Sequence, residues 1–120
     1  MIDRRPLVLL VDDDPHVRLA TEMMLDDLGC QVLTASSAME AVVQLAGPLG
    51  SSVDAVLTDE KMPGQTGSEL LMTIKERWPG LPAAIVSGYA ESLPEGVIRL
   101  SKPFGTKELE SLLRRLSIAI

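Results

Sequence analysis

Several residue types are scarce in this chain, and each shortage closes a possibility. Of its 120 residues, one is cysteine and one is histidine. No intrachain disulfide can form, and no Cys/His zinc set can be assembled. Aromatic residues make up 2%, so any core must be aliphatic, built from Val, Leu, Ile, Ala and Met. Basic residues are outnumbered, 11 Lys and Arg against 17 Asp and Glu, for a net charge of −6. That balance argues against holding nucleic acid through phosphate contacts. Long apolar runs are missing too: Leu7 to Val11 is far shorter than a signal-peptide core or a membrane span. A soluble cytoplasmic protein without membrane association is therefore expected. Nothing resembles a Walker loop, so binding of a nucleoside triphosphate is not expected.

What remains is a chain of ordinary globular character, 46% hydrophobic and of the length common for one domain. A single domain over 1–120 is expected, without repeats, low-complexity stretches or linkers. Short apolar runs alternate with longer amphipathic segments. Leu7 to Val11 reads as a strand covered on both faces. Asp14-Pro15 reads as an N-cap followed by the first helical residue. Val17, Ala20, Met24 and Leu28 then recur at helical spacing, and Gly29 is placed to end that helix. Cys30 precedes a second strand, Gln31 to Ala35, and is expected to be a small buried thiol. Ser37 and Glu40 have capping-box spacing ahead of a helix carrying Ala41, Val42 and Leu45. A third strand, Asp54 to Thr58, ends directly at Asp59. A loop with Met62-Pro63-Gly64 and Gly67 leads into a helix with Leu70, Leu71, Ile74 and Trp78. Pro82 to Ser87 and Val97 to Leu100 read as the fourth and fifth strands. The last helix starts near Thr106, with Leu109, Leu112, Leu113 and Leu116 on one face.

Such alternation implies an α/β fold with a parallel sheet, right-handed crossovers and helices on both faces. Sites in these sheets lie beyond the carboxyl ends of the strands. Asp12-Asp13-Asp14, Asp59, Ser87 and Lys102 all fall there. Carboxylates placed together raise one another's pKa values, and a hard divalent cation with oxygen ligands removes that cost. The acid cluster therefore reads as a Mg2+ site that shares Asp59. A lysine and a hydroxyl beside a metal-bound carboxylate point to phosphoryl transfer, which needs positioning and charge neutralisation. Asp14, followed by Pro15, is assigned to helix capping rather than to the metal. His16 reads as a solvated helix residue, Glu60 as a surface residue, and Arg114-Arg115 as a solvated helix face.

Four motifs occur in order: Leu9-Leu10-Val11-Asp12-Asp13-Asp14-Pro15, Leu57-Thr58-Asp59 with Met62-Pro63-Gly64, Val86-Ser87-Gly88-Tyr89, and Ser101-Lys102-Pro103-Phe104. Together they resemble the receiver domain of two-component response regulators across nearly the whole chain. The resemblance implies a doubly wound, flavodoxin-like five-stranded parallel sheet in the order 2-1-3-4-5. It implies Asp59 as phosphoacceptor and metal ligand, Asp13 as a direct Mg2+ ligand, Asp12 as a ligand through water, and the Lys61 backbone carbonyl as the remaining protein ligand. Ser87 would be the switch hydroxyl, Lys102 would pair with the phosphoryl group, and the peptide before Pro103 would be cis. The partner would be a histidine kinase or a histidine phosphotransfer protein, and the domain a switch rather than an enzyme, monomeric or weakly dimeric. The Lys61 side chain would project either over the site or into solvent, and Lys61 and Tyr89 would either shield the phosphoryl group from water or steer water to it.

Two departures from the family stand out. Arg99 occupies the place, three residues before the lysine, where receivers usually carry Tyr or Phe. The segment between Ser87 and Lys102 is short and lacks an apolar stripe, so the fourth helix of the family is expected to be truncated or absent. Shortened receivers of this kind often occur joined to histidine kinases, which makes a hybrid-kinase receiver or a free-standing relay receiver the expected context. No output domain is expected after Ile120, and output is expected from elsewhere. Two other functions compete. A haloacid-dehalogenase-type phosphatase would place its nucleophile after the first strand, in an Asp-x-Asp pair, and this chain does not. A pseudo-receiver, used only as an interaction surface, would have no need of the acid cluster.

Overall fold

The strand-helix alternation is realised in a computed structural model that describes residues 5–88 and 91–120. In chain order the elements are β1 (Leu7–Val11), α1 (Pro15–Asp27), β2 (Gln31–Ala35), α2 (Ala38–Leu45), a single 3₁₀ turn (Gly50–Ser52), β3 (Ala55–Asp59), α3 (Gly67–Arg77), β4 (Ala83–Gly88), β5 (Arg99–Lys102) and α4 (Thr106–Arg115). All strand pairs are parallel, and their order is β2-β1-β3-β4-β5. No helix among the described residues is long and apolar enough to cross a membrane.

Successive strand residues point to opposite faces, so each central strand feeds two cores. Val8 and Leu10 of β1 join Leu57, Ala84 and Leu100 beneath α1 and α4, where Leu25, Leu109, Leu112 and Leu113 complete the cluster. Leu9 and Val11 join Val56 beneath α2 and α3, against Ala41, Leu45, Leu70 and Ile74. This is why the strands read as unbroken apolar runs: neither face meets water.

The local signals for chain direction hold at most ends. Asp14 Oδ1 accepts from His16 N at 2.9 Å and Val17 N at 3.3 Å, capping α1. Gly29, at φ +91°, takes the left-handed position after that helix. At α2 the cap differs from the expected box. Ser37 accepts from Glu40 N, but the Glu40 carboxylate reaches past it to Ser36 N and Oγ, at 3.1 and 2.7 Å. The complete box belongs to Thr66 and Glu69 at α3.

Three readings shift. Val17 and Ala20 of α1 are exposed, and Thr21 and Leu25 are its buried residues. Leu19 and Met23 are exposed as well, so apolar side chains surround this helix and periodicity alone does not choose its inner face. Asp54 lies just outside β3, its carboxylate accepting from Leu7 N at 2.8 Å. The fifth strand lies two residues later than Val97 to Leu100, because pairing with β4 is carried through Ser101 and Lys102. The crossover from β4 to β5 contains no helix among its described residues, leaving four α-helices, two on each face.

Candidate functional site

The sheet order makes β1 and β3 neighbours while their crossovers leave in opposite directions, and the crevice opens at their carboxyl ends. Asp12 and Asp13 follow β1, and Asp59 closes β3. One carboxylate oxygen from each of the three lies within 4.8 Å of the others. Asp12 is buried, Asp59 half-buried and Asp13 exposed. Asp59 Oδ1 accepts from Glu60 N at 3.0 Å and from Lys102 Nζ at 3.1 Å. The lysine arrives from the end of β5, and the Lys102–Pro103 peptide is cis.

Among the described residues, Lys102 is the ammonium paired with this cluster, and it sits on Asp59. Burial pushes the Asp12 carboxyl above the usual carboxylate range; a hydrogen bond from Asp14 N opposes this, and the Asp59 charge adds to it. Ser87 stands near the end of β4, fully buried, and its hydroxyl has no hydrogen-bond partner. Its neighbour in register on β5 is Ser101, one residue before Lys102. The Lys61 side chain is exposed. Tyr89 lies outside the described residues.

Residues 8–114 match the sequence profile of the response regulator receiver domain. The chain belongs to that family. Among curated relatives, it is 41% identical over 92 residues to the hydrogenase transcriptional regulatory protein HoxA of Cupriavidus necator, covering 77% of this chain and 18% of that protein. It is 34% identical over 116 residues to the sensor kinase CckA of Brucella abortus, covering 91% of this chain and 12% of that protein. The receiver therefore spans less than a fifth of the length of either relative. A receiver domain from Clostridium thermocellum superimposes with a TM-score of 0.84 at 28% identity, covering 92% of this chain and 93% of that one.

Several parts of the receiver site went unread in the sequence. Arg18, on α1, donates to the Asp12 carbonyl at 2.7 Å and so pins the acidic turn. Glu60 is a latch rather than a free surface group. Its carboxylate accepts from Ser68 N at 2.7 Å and from Ser68 Oγ at 2.9 and 2.8 Å, tying the loop after Asp59 to the first turn of α3. A serine in the first turn of a helix, eight residues after an acid, is too common a pattern to single out. Arg99 turns to the loop after β4, where its Nη2 donates to the Glu91 carbonyl.

Proposed function

We propose that this receiver accepts a phosphoryl group on Asp59, with Mg2+ held by Asp12, Asp13, Asp59 and the Lys61 backbone carbonyl, and changes conformation as a result. The donor is the phosphohistidine of a histidine kinase or histidine phosphotransfer protein, a cytoplasmic partner class. The observation that carries the reading is the meeting of three carboxylates within 4.8 Å with the Lys102 ammonium seated on Asp59. All three side-chain donors are hard oxygens, the set that Mg2+ favours, and their negative charge exceeds the positive charge of Lys102 and of the Arg18 guanidinium on the Asp12 carbonyl together, which supports a cation there.

A carboxylate oxygen of Asp59 attacks phosphorus; the new P–O bond forms as the P–N bond breaks, and the bonding pair returns to the imidazole nitrogen. Lys102, already on Asp59, neutralises a phosphoryl oxygen, and the Ser87 hydroxyl donates to another. Mg2+, when bound, supplies the charge that lets the dianionic phosphoryl group approach a carboxylate. Glu60 and Arg18 hold the loops that carry Asp59 and Asp12, so the attacking geometry is set before the donor arrives.

The test is incubation with Mg2+ and acetyl phosphate, followed by intact mass. One phosphoryl addition, stable in acid and lost in base, is expected in the wild type and absent from Asp59→Asn. An adduct that persists in the variant would overturn the assignment. No adduct, together with no effect of Mg2+ on melting, would favour a pseudo-receiver.

A further inference from the structure

Among the described residues, the buried side-chain polar atoms without a hydrogen-bond partner are Ser87 Oγ, Glu91 Oε2 and Arg99 Nε. Buried polar atoms are nearly always paired, so three open ones in one neighbourhood call for a reason. They are connected through the backbone. Glu91 Oε1 accepts from Gly88 N at 3.0 Å, and Gly88 directly follows Ser87. The Arg99 guanidinium sits on the carbonyl of Glu91 itself. The Glu91 side chain therefore starts from the residue on which the guanidinium sits, and neither Glu91 Oε2 nor Arg99 Nε has a hydrogen-bond partner.

We propose that Glu91 and Arg99 form a two-position clasp that reports occupancy of Asp59, taking over the readout that receivers usually give to an aromatic residue at the position of Arg99. The proposal rests on the phosphoacceptor reading above. In the position seen here, Glu91 holds the Gly88 amide and Arg99 holds only the Glu91 backbone. In the other, the Glu91 carboxylate turns onto the guanidinium and Gly88 is released. The trigger is Ser87. Its hydroxyl lacks an acceptor until phosphoryl oxygens appear on Asp59, and donating to one draws Ser87, and Gly88 with it, away from Glu91. Each position keeps a charge-assisted hydrogen bond on the Glu91 carboxylate. A ligand contact made in one position and not in the other can then shift the population. Glu91 also lines a cleft of about 440 Å³ with Glu60, Lys61, Thr66 and Ser92, so movement of the clasp reshapes the surface beside the acceptor.

The test is nitrogen-15 NMR of the full chain with Mg2+, with and without beryllofluoride as phosphoryl mimic, while fluorine NMR reports adduct formation. On adduct formation the Arg99 Nε–H resonance is expected to shift and gain protection from solvent exchange. The Gly88 amide is expected to exchange faster by on the order of tenfold or more, as loss of a bond to a charged group requires. Glu91→Gln keeps an amide oxygen for Gly88 but no charge for Arg99. It is expected to take the adduct with Gly88 still protected and Arg99 silent. A wild type that forms the adduct while Arg99 Nε–H and Gly88 stay unchanged would overturn the clasp and leave the Asp59 reading intact. Arg99 as a static staple predicts that outcome. Failure of the wild type to form any adduct would overturn the Asp59 reading, and the clasp with it.

Discussion

Asp12 is fixed on three sides: its N–H donates to Ala35 O at 3.1 Å, its carbonyl accepts from Arg18 Nη1 at 2.7 Å, and its Oδ1 accepts from Asp14 N at 2.9 Å. It keeps 5% of its surface exposed. A carboxylate held this way serves a cation well and the metal-free fold badly. Its native pKa is raised, burial being the main cause, against an ordinary value of 3.8. The sign follows from linkage. Below the ordinary value the acid is neutral in both folded and unfolded chains, and its burial does no harm. As pH rises through the raised native value, the buried charge forms and that stability is lost. In EDTA at pH 7, Asp12→Asn should therefore melt higher than the wild type, with the gap closing as pH falls below 3.8. The same variant should lose most of its response to Mg2+. Melting curves at the two pH values check this, and a variant that melts lower at pH 7 in EDTA would show that the Asp14 bond outweighs burial.

Helix α3 packs closely against the backbone of Asp59. Gly67, its first residue, donates to Glu60 O at 2.9 Å. A Cβ built on Gly67 would lie 2.2 Å from the Asp59 carbonyl oxygen and 3.0 Å from its carbon. Those are backbone atoms, so a larger residue must move either the helix or Asp59. Gly67→Ala should cost about 1–3 kcal/mol, the usual scale of overpacking, and should slow phosphorylation by acetyl phosphate. Gly80, where a Cβ would meet nothing within 4 Å, provides the control; Gly80→Ala should change neither. Urea unfolding and adduct rates measure both, and equal stability of the two variants would remove the close approach from the argument. This contact shows what kind of information the sequence carries. Strands β1 and β3 were legible because both faces are dry, and α4 because one leucine face is buried while charges cover the other. The acid cluster was legible because its acids directly follow or close the two dry apolar runs, β1 and β3. The inner face of α1 was not, since Val17, Leu19 and Met23 look apolar yet stay outside. Neither were the Glu60–Ser68 latch and the Gly67 approach, which depend on how a loop closes in space rather than on any period.

Across the whole molecule, charge connects the site to stability. A net charge of −6 includes three carboxylates that converge at one crevice, where Lys102 pairs with Asp59 and Arg18 holds the Asp12 carbonyl. Any cation stabilises such a chain slightly by screening, so specific binding has to be separated from bulk salt. A ligand that binds only the folded state adds RT ln(1 + [L]/Kd), about 2.7 kcal/mol at a concentration a hundred times Kd. For a domain of this size that corresponds to a rise of roughly 10 °C in Tm. MgCl2 should give a rise of this order, saturating with concentration, whereas NaCl at matched ionic strength should give a smaller, unsaturable one. Asp13 is the residue on which to test the difference: it is exposed, so Asp13→Asn removes one carboxylate of the cluster with little disturbance of the core. The variant should keep the NaCl response and lose the saturable Mg2+ response. An equal Mg2+ response in wild type and variant would reduce the cluster to ordinary surface acidity. The paired carboxylates after β1 would then have no part in the chemistry at Asp59.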